Sequence, residues 1–162
     1  MGAATSAGAL GKRDKTMPTM LDIAIQTAVA AHVGQRDKAW HPYILHPLAV
    51  MLSMDPLDLD GQIVAVLHDV IEDTGYKLEY LQAAGFNAEI VAALDAITHR
   101  GFESNRDYWA RVKANPLALR VKLQDIRHNS SEERLACLSP DTAARLRAKY
   151  AEALEFLTED AK

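Results

Sequence analysis

With 162 residues, 49% hydrophobic and 25% charged, the chain is long enough to enclose one ordinary core. Its formal net charge of −4 argues against a general nucleic-acid or anionic-membrane binder, which needs a basic surface, but leaves room for a small phosphorylated ligand. Cys137 is the only cysteine, which excludes an intrachain disulfide and a cysteine-based zinc site and fits a cytoplasmic protein.

Residues 1–17 are Gly/Ala/Ser-rich and then basic, without the apolar stretch of a secretory signal, and read as a flexible leader ahead of one domain over 18–162. Pro18 and Thr19 open a helix whose apolar residues recur at helical spacing from Leu21 to His32, and Gly34 ends it. Gln35 to Tyr43 is polar, contains Pro42 and reads as a loop. A second helix, Pro47 to Met54, has proline in its first turn, where the missing N–H costs nothing. Pro56 and Asp58 separate it from a third, Leu59 to Ile71. A short helix around Leu78 to Ala84 follows, and Asn87 caps the next, Ala88 to Thr98. Ser104 or Asn105 starts a helix to Lys113, Pro116 opens one from Leu117 to about Ser130, and Ser139-Pro140-Asp141 begins a long one to about Leu157. No segment alternates as a strand does, no run is apolar enough to span a bilayer, and no repeat is present. The fold class is all-α, in a compact helical bundle.

Chemistry concentrates at the end of the third helix, in Leu67-His68-Asp69-Val70-Ile71-Glu72-Asp73-Thr74. Read as continuous helix, His68 and Glu72 are one turn apart, as are Asp69 and Asp73, so all four crowd a narrow arc. Three carboxylates on one patch repel each other and resist desolvation unless a cation sits among them. His68-Asp69 offers one nitrogen and one oxygen ligand, which suits Mn²⁺, Fe²⁺ or Zn²⁺ better than Ca²⁺. Further ligands can come from His46, ahead of Pro47, and from Asp125, close to the apolar side that Leu119, Val121, Leu123 and Ile126 define. His46 can equally cap a helix, and Asp125 can instead pair with Arg120, Lys122 or Arg127. Asn129, one turn after Asp125, can hold a ligand or orient that carboxylate. His32, His41, His99 and His128 read as loop or surface residues, Tyr108 and Trp109 as packing, and Cys137 as a small buried filler.

Taken with their flanks, Pro42-Tyr43-Ile44-Leu45-His46-Pro47, Leu67 to Thr74, and Val121-Lys122-Leu123-Gln124-Asp125 with Asn129 resemble the HD-domain metal-dependent phosphohydrolases. The likeness is specifically to the hydrolase domain of RelA/SpoT-type enzymes and their stand-alone small alarmone hydrolases. It covers roughly Leu21 to Leu157. The resemblance implies an HD-domain bundle in which His46, His68, Asp69 and Asp125 bind one Mn²⁺ ion and Glu72 and Asp73 handle the attacking water. It implies Arg36 and Lys38 as cations for a diphosphate, with Arg100 and Arg147 as further candidates, and Tyr43 and Asn129 as nucleotide-pocket residues. The implied reaction removes pyrophosphate from the 3′ position of guanosine tetra- or pentaphosphate. One position departs: Asp37 stands where the family's loop commonly carries an arginine, and an aspartate neither stacks on a purine nor attracts a phosphate. An adenosine alarmone, NADPH or another phosphorylated nucleotide is therefore the second reading, and a non-catalytic alarmone-binding module the third.

Overall fold

The computed structural model describes residues 17–159, so the expected leader lies outside the described residues except for Met17. Ten helical segments follow one another: α1 (Met20–Ala31), α2 (Leu45–Leu52), α3 (Leu59–Leu67), α4 (Val70–Asp73), α5 (Leu78–Ala83), α6 (Ala88–Ile97), α7 (Asn105–Ala114), α8 (Pro116–Asn129), α9 (Glu132–Leu135) and α10 (Pro140–Thr158). Among the described residues there is no strand, only one isolated bridge between Arg36 and Pro42. No described helix is long and apolar enough to cross a membrane.

Thr19, Asn87, Ser104 and Ser139 cap where the sequence places helix starts, and Asn115 caps the helix that Pro116 opens. Thr19 and Asp22 form a reciprocal capping box on α1, and Asn87, Ser104, Asn115 and Ser139 each accept a backbone N–H at their helix starts. Helix α3 is the axis of the bundle. Ile63, Val64, Ala65, Val66 and Leu67 are all buried, because α1, α2, α6 and α8 cover it on every side. Its first turn is close-fitted: Asp58 Oδ1 accepts the Gly61 N–H at 2.9 Å, and a Cβ on Gly61 would lie 2.4 Å from Asp58 Oδ2 and 2.7 Å from the Met54 methyl. Asp58 Oδ2 also takes the Arg120 guanidinium at 3.1 Å, which ties the start of α3 to α8.

Two differences from the sequence reading matter for the site. Helix α3 does not run on to Ile71; it stops at Leu67 and resumes as α4 at Val70. Two side chains take up the carbonyls around this break. His68 Nδ1 lies 2.7 Å from Ala65 O, and Thr74 Oγ1 donates to Val70 O, while Asp69 turns the chain at ψ −6°. The other difference is α9, one short turn that its four residues are too few to announce by periodicity.

Candidate metal centre and its cleft

Three elements converge on one point. The first turn of α2 supplies His46, the α3–α4 break supplies His68 and Asp69, and the last turn of α8 supplies Asp125. Nε2 of His46, Nε2 of His68 and a carboxylate oxygen of Asp69 all lie within 4.8 Å of one another. Asp69 Oδ2 is 3.0 Å from His68 Nε2 and 3.5 Å from His46 Nε2; Asp125 Oδ1 stands beside this three-residue cluster, 3.2 Å from His46 and 3.6 Å from His68. His46, His68 and Asp125 are each 4% exposed or less, which leaves little water to serve them.

The set fits a divalent cation. A carbonyl only accepts, so the Nδ1 of His68 that meets Ala65 O carries hydrogen, and in the neutral ring Nε2 presents the lone pair. That buried Nε2 has no hydrogen-bond partner, an orphan that costs free energy unless an electrophile faces it. Two imidazole nitrogens and two carboxylate oxygens form a donor set typical of first-row divalent ions.

Each donor has a second anchor. Asn129 Nδ2 donates to Asp125 Oδ1 at 2.6 Å, and the Lys122 ammonium donates to Oδ2 at 2.8 Å. The two readings of Asp125 thus hold together: one oxygen faces the histidines while the other pairs with Lys122. Tyr43 Oη donates to Asp69 Oδ2 at 2.6 Å and lies 2.9 Å from Asp73 Oδ2, so one hydroxyl links a candidate ligand to the carboxylate beside it. Burial and these two carboxylates hold the Tyr43 phenol far above its ordinary value. His46 Nδ1 meets His128 Nδ1 at 2.8 Å. Burial, with the charges of His46 and Arg134 adding to it, lowers His128 to about 4, which keeps that ring neutral.

With no ion present, the nest is a charge cluster. Burial opposes charge on His46 and His68, but Asp69 and Asp125 outweigh it and raise both histidines. Burial likewise opposes charge on the carboxylates. His68 with its neighbour His46 overcomes it at Asp69, and Lys122 with the histidines overcomes it at Asp125, so both acids fall below the usual carboxylate range.

The nest lies on the floor of a cavity of about 690 Å³, within the ordinary span of small-molecule sites. Glu72 and Asp73 line it from the exposed end of α4 together with His68 and Asp69, and the Asp73 N–H donates to Asp69 O at 2.9 Å, one turn back. Glu72 Oε2 accepts the His99 N–H at 2.9 Å, and Asp73 turns to Tyr43 while its carbonyl takes the Gln35 amide at 3.1 Å.

Arg36, Lys38, Tyr43 and Asn129 also line the cavity, but Arg147 does not. Its guanidinium is occupied by Glu132 at 2.7 Å on the outer face of α10. Arg100 is likewise outside, paired with Asp95 at 3.1 Å. The cations that α9 and α10 do bring to the cavity are Arg134 and Lys149. Helical spacing alone does not separate the two: Lys149 lies three residues after buried Leu146 and four before buried Ala153, but Arg147 lies four after buried Ala143 and three before half-buried Tyr150. Burial and the like charges of Lys122 and Lys38 lower Lys149 from its ordinary value, so three ammonium groups crowd this wall.

Asp37 is not a bare charge facing the cavity. Its Oδ1 accepts the N–H groups of Ala39 and His41, both at 2.9 Å, and Oδ2 lies 3.6 Å from the Arg134 guanidinium. The carboxylate staples the loop and faces a guanidinium from α9, which offsets its charge toward a phosphate. Of the residues read as surface or filler, His32 is buried with Nδ1 2.8 Å from Gln35 Oε1, His128 contacts His46, and Cys137 is exposed rather than buried.

No family model matches the chain. It is 32% identical over 145 residues to a probable GTP pyrophosphokinase of Mycobacterium leprae, covering 83% of this chain and 18% of that protein. It is 33% identical over 129 residues to a guanosine-3′,5′-bis(diphosphate) 3′-pyrophosphohydrolase of Haemophilus influenzae, covering 72% and 19%. A probable enzyme of the same description from Synechocystis is 31% identical over 151 residues, covering 84% and 19%. The chain thus spans less than a fifth of the length of these curated relatives. A solved structure described as a metazoan ortholog of SpoT that hydrolyzes ppGpp superposes with a TM-score of 0.70 at 20% identity, covering 88% of both chains. The sequence matches and this shared all-α architecture place the chain in the RelA/SpoT type of HD-domain family.

Proposed function

We propose that this chain is a metal-dependent hydrolase of guanosine tetra- and pentaphosphate. It adds water across the bond between the 3′-oxygen and the pyrophosphoryl group, giving GDP or GTP and pyrophosphate. The observation that carries this reading is the buried nest of two histidines and two aspartates, at the floor of a cleft whose wall holds Arg36, Lys38 and Lys149. None of these three cations forms an ion pair with another described residue, so a polyphosphate meets charges not already neutralised. The names of the curated relatives support the substrate class.

His46, His68, Asp69 and Asp125 would hold the ion, for which we propose Mn²⁺. When bound, a divalent ion polarises a phosphoryl oxygen and acidifies water. The chain's own residues do the rest. The His99 N–H holds the Glu72 carboxylate at the cleft wall, where it can accept a proton from attacking water. Asp73, fixed through Tyr43 and Gln35, completes the acidic pair beside that water, and the proton that Glu72 accepts is the one returned to the departing 3′-oxygen. Lys122 neutralises the outer oxygen of Asp125, so the inner oxygen can face the ion without leaving an uncompensated buried charge. Arg36 and Lys38 meet the diphosphate, joined by Lys149. The single cysteine suits a cytoplasmic setting for this chemistry.

A second reading has one observation in its favour: Asp37 is used to staple its loop and leaves no arginine there to stack on guanine. An adenosine alarmone or NADPH then becomes the rival substrate. Incubating the Mn²⁺-loaded protein with guanosine and adenosine tetraphosphates and with NADPH tests both. Pyrophosphate from the guanosine compound is expected. Orthophosphate from NADPH, or pyrophosphate from the adenosine compound alone, moves the assignment to the rival. Tight nucleotide binding without turnover at any metal would make the protein a binding module and sink both.

A further inference from the structure

His46 and His68 both present Nε2 to the nest, but their other nitrogens are held by different means. The holder of His68 is a backbone carbonyl, Ala65 O at 2.7 Å, which fixes the hydrogen on Nδ1 whatever side chains surround it. The holder of His46 is a side chain, His128, with its Nδ1 2.8 Å away, the ring planes 25° apart and the centroids separated by 5.0 Å, so the rings meet edge to edge. A contact this short between two ring nitrogens needs one hydrogen between them. If His128 gave that hydrogen, His46 Nδ1 would be bare and its single hydrogen would sit on Nε2, between Asp69 and Asp125 and in the way of an ion. If His128 accepts it, Nε2 is left to the nest.

We propose that His128 is a positioning residue that accepts the Nδ1 hydrogen of His46 and so keeps Nε2 as the nitrogen that faces the metal. Its place in the fold favours this role. His128 stands three residues after Asp125 and one before Asn129, so a single turn of α8 carries a ligand, the amide that orients that ligand, and the ring that orients the ligand from α2. Metal-bound histidines generally need such a partner, and removing it costs about 10–100-fold in affinity. This inference rests on the nest being a metal site, and not on which nucleotide enters the cleft.

Mn²⁺ affinity, read from the free-ion signal in electron paramagnetic resonance, tests it in variants that leave the ligands intact. His128→Leu removes the acceptor, and about a 10–100-fold weaker affinity is expected. His128→Asn places an amide oxygen where Nδ1 stood and should recover most of the loss. A Leu variant that binds as the wild type does, or an Asn variant no better than Leu, would overturn the assignment. Should the Leu variant fail to fold, nitrogen-15 spectra of the wild type loaded with Zn²⁺ decide. They should show His46 Nδ1 protonated, whereas a coordinated Nδ1 overturns the proposal. Intact affinity ratios in a protein that hydrolyses no guanosine alarmone would sink the substrate reading and still support this one.

Discussion

At the floor of the cleft each polar group is held twice, once by a core helix and once by a neighbouring side chain or carbonyl. At the rim Glu72 and Asp73 stand on the exposed end of α4, and the cations Arg36, Lys38 and Lys149 have no ion-pair partner among the described residues. Asp125 is buried on α8 and bonded by both Lys122 and Asn129, whereas Glu72 is exposed and takes a single N–H from the 98–104 loop. That loop has its own brace. The Arg111 guanidinium donates to the carbonyls of Asp95, Ala96 and Thr98 at the end of α6 and pairs with Glu103. On the proposed function the difference teaches a division of labour: the packed core would determine where an ion sits, and the rim which phosphorylated ligand reaches it. Rigid support of this kind is what a metal site needs, because small displacements of a donor weaken the whole set.

Breaking the floor should have the largest effect. Asp125→Ala removes a donor, strands the Lys122 ammonium and leaves His46 and His68 with one carboxylate fewer. We expect the purified variant to retain no metal by elemental analysis and to show no measurable turnover, a loss of at least about 10³-fold. A variant that keeps its metal would show that Asp125 belongs to the Lys122 ion pair alone. Next in size is the rim pair. Replacing Glu72 by Gln and Asp73 by Asn should leave Mn²⁺ affinity close to the wild type's and lower kcat by about 10²–10⁴-fold. Equal losses of metal and activity would place these carboxylates on the floor instead.

Protonation offers a third way to separate the regions. Burial is overcome by the carboxylates at His46 and His68, so both hold protons more tightly in the ion-free protein than a free histidine does. Loading the site must expel those protons. The apparent metal affinity therefore falls as pH drops below the raised values, and calorimetry in buffers of different ionisation enthalpy should count up to about two protons released at neutral pH. The sign for stability is the reverse in the absence of metal. A histidine raised on folding stabilises fully below its unfolded pKa of about 6.5, and this contribution is lost as pH rises through the folded value. Chelated protein should thus melt at a lower temperature as pH climbs from about 6.5 to 9, while metal-loaded protein should not. Parallel melting curves with and without chelator would refute the cluster described at the floor.

Floor and rim also differ in how far the sequence reveals them. Helix caps, proline positions and apolar spacing locate most of the bundle, because each is a local signal; Asn115-Pro116 and Ser139-Pro140 stand at the starts of α8 and α10. The four nest residues are legible as chemical types at helix ends and gain their grouping from the family likeness. The α3–α4 break is not legible, since it arises where His68 and Thr74 take over backbone carbonyls in a stretch that periodicity reads as unbroken helix. His128 escaped notice for a similar reason: its partner, His46, is 82 residues away and on another helix. The rim is harder still, because Asp37 looks like an obstacle to phosphate until its partners Ala39, His41 and Arg134 are seen.

The smallest effects should come from exchanging rim cations, and these distinguish a cleft wall from a solvated face. Lys149 lines the cavity, while two residues before it Arg147 faces outward onto Glu132. Lys149→Gln should raise KM for the guanosine alarmone by about three- to tenfold with little change in kcat, as expected for one exposed charge meeting a phosphate. Arg147→Gln should leave KM within about twofold of the wild type, since an exposed ion pair contributes little. Initial-rate kinetics on the two variants at the same ionic strength make the comparison. A larger effect at Arg147 than at Lys149 would mean that the ligand reaches over the outer face of α10. The rim would then extend beyond the cavity, and the orientation of α10 would no longer explain which of its cations meet the phosphates.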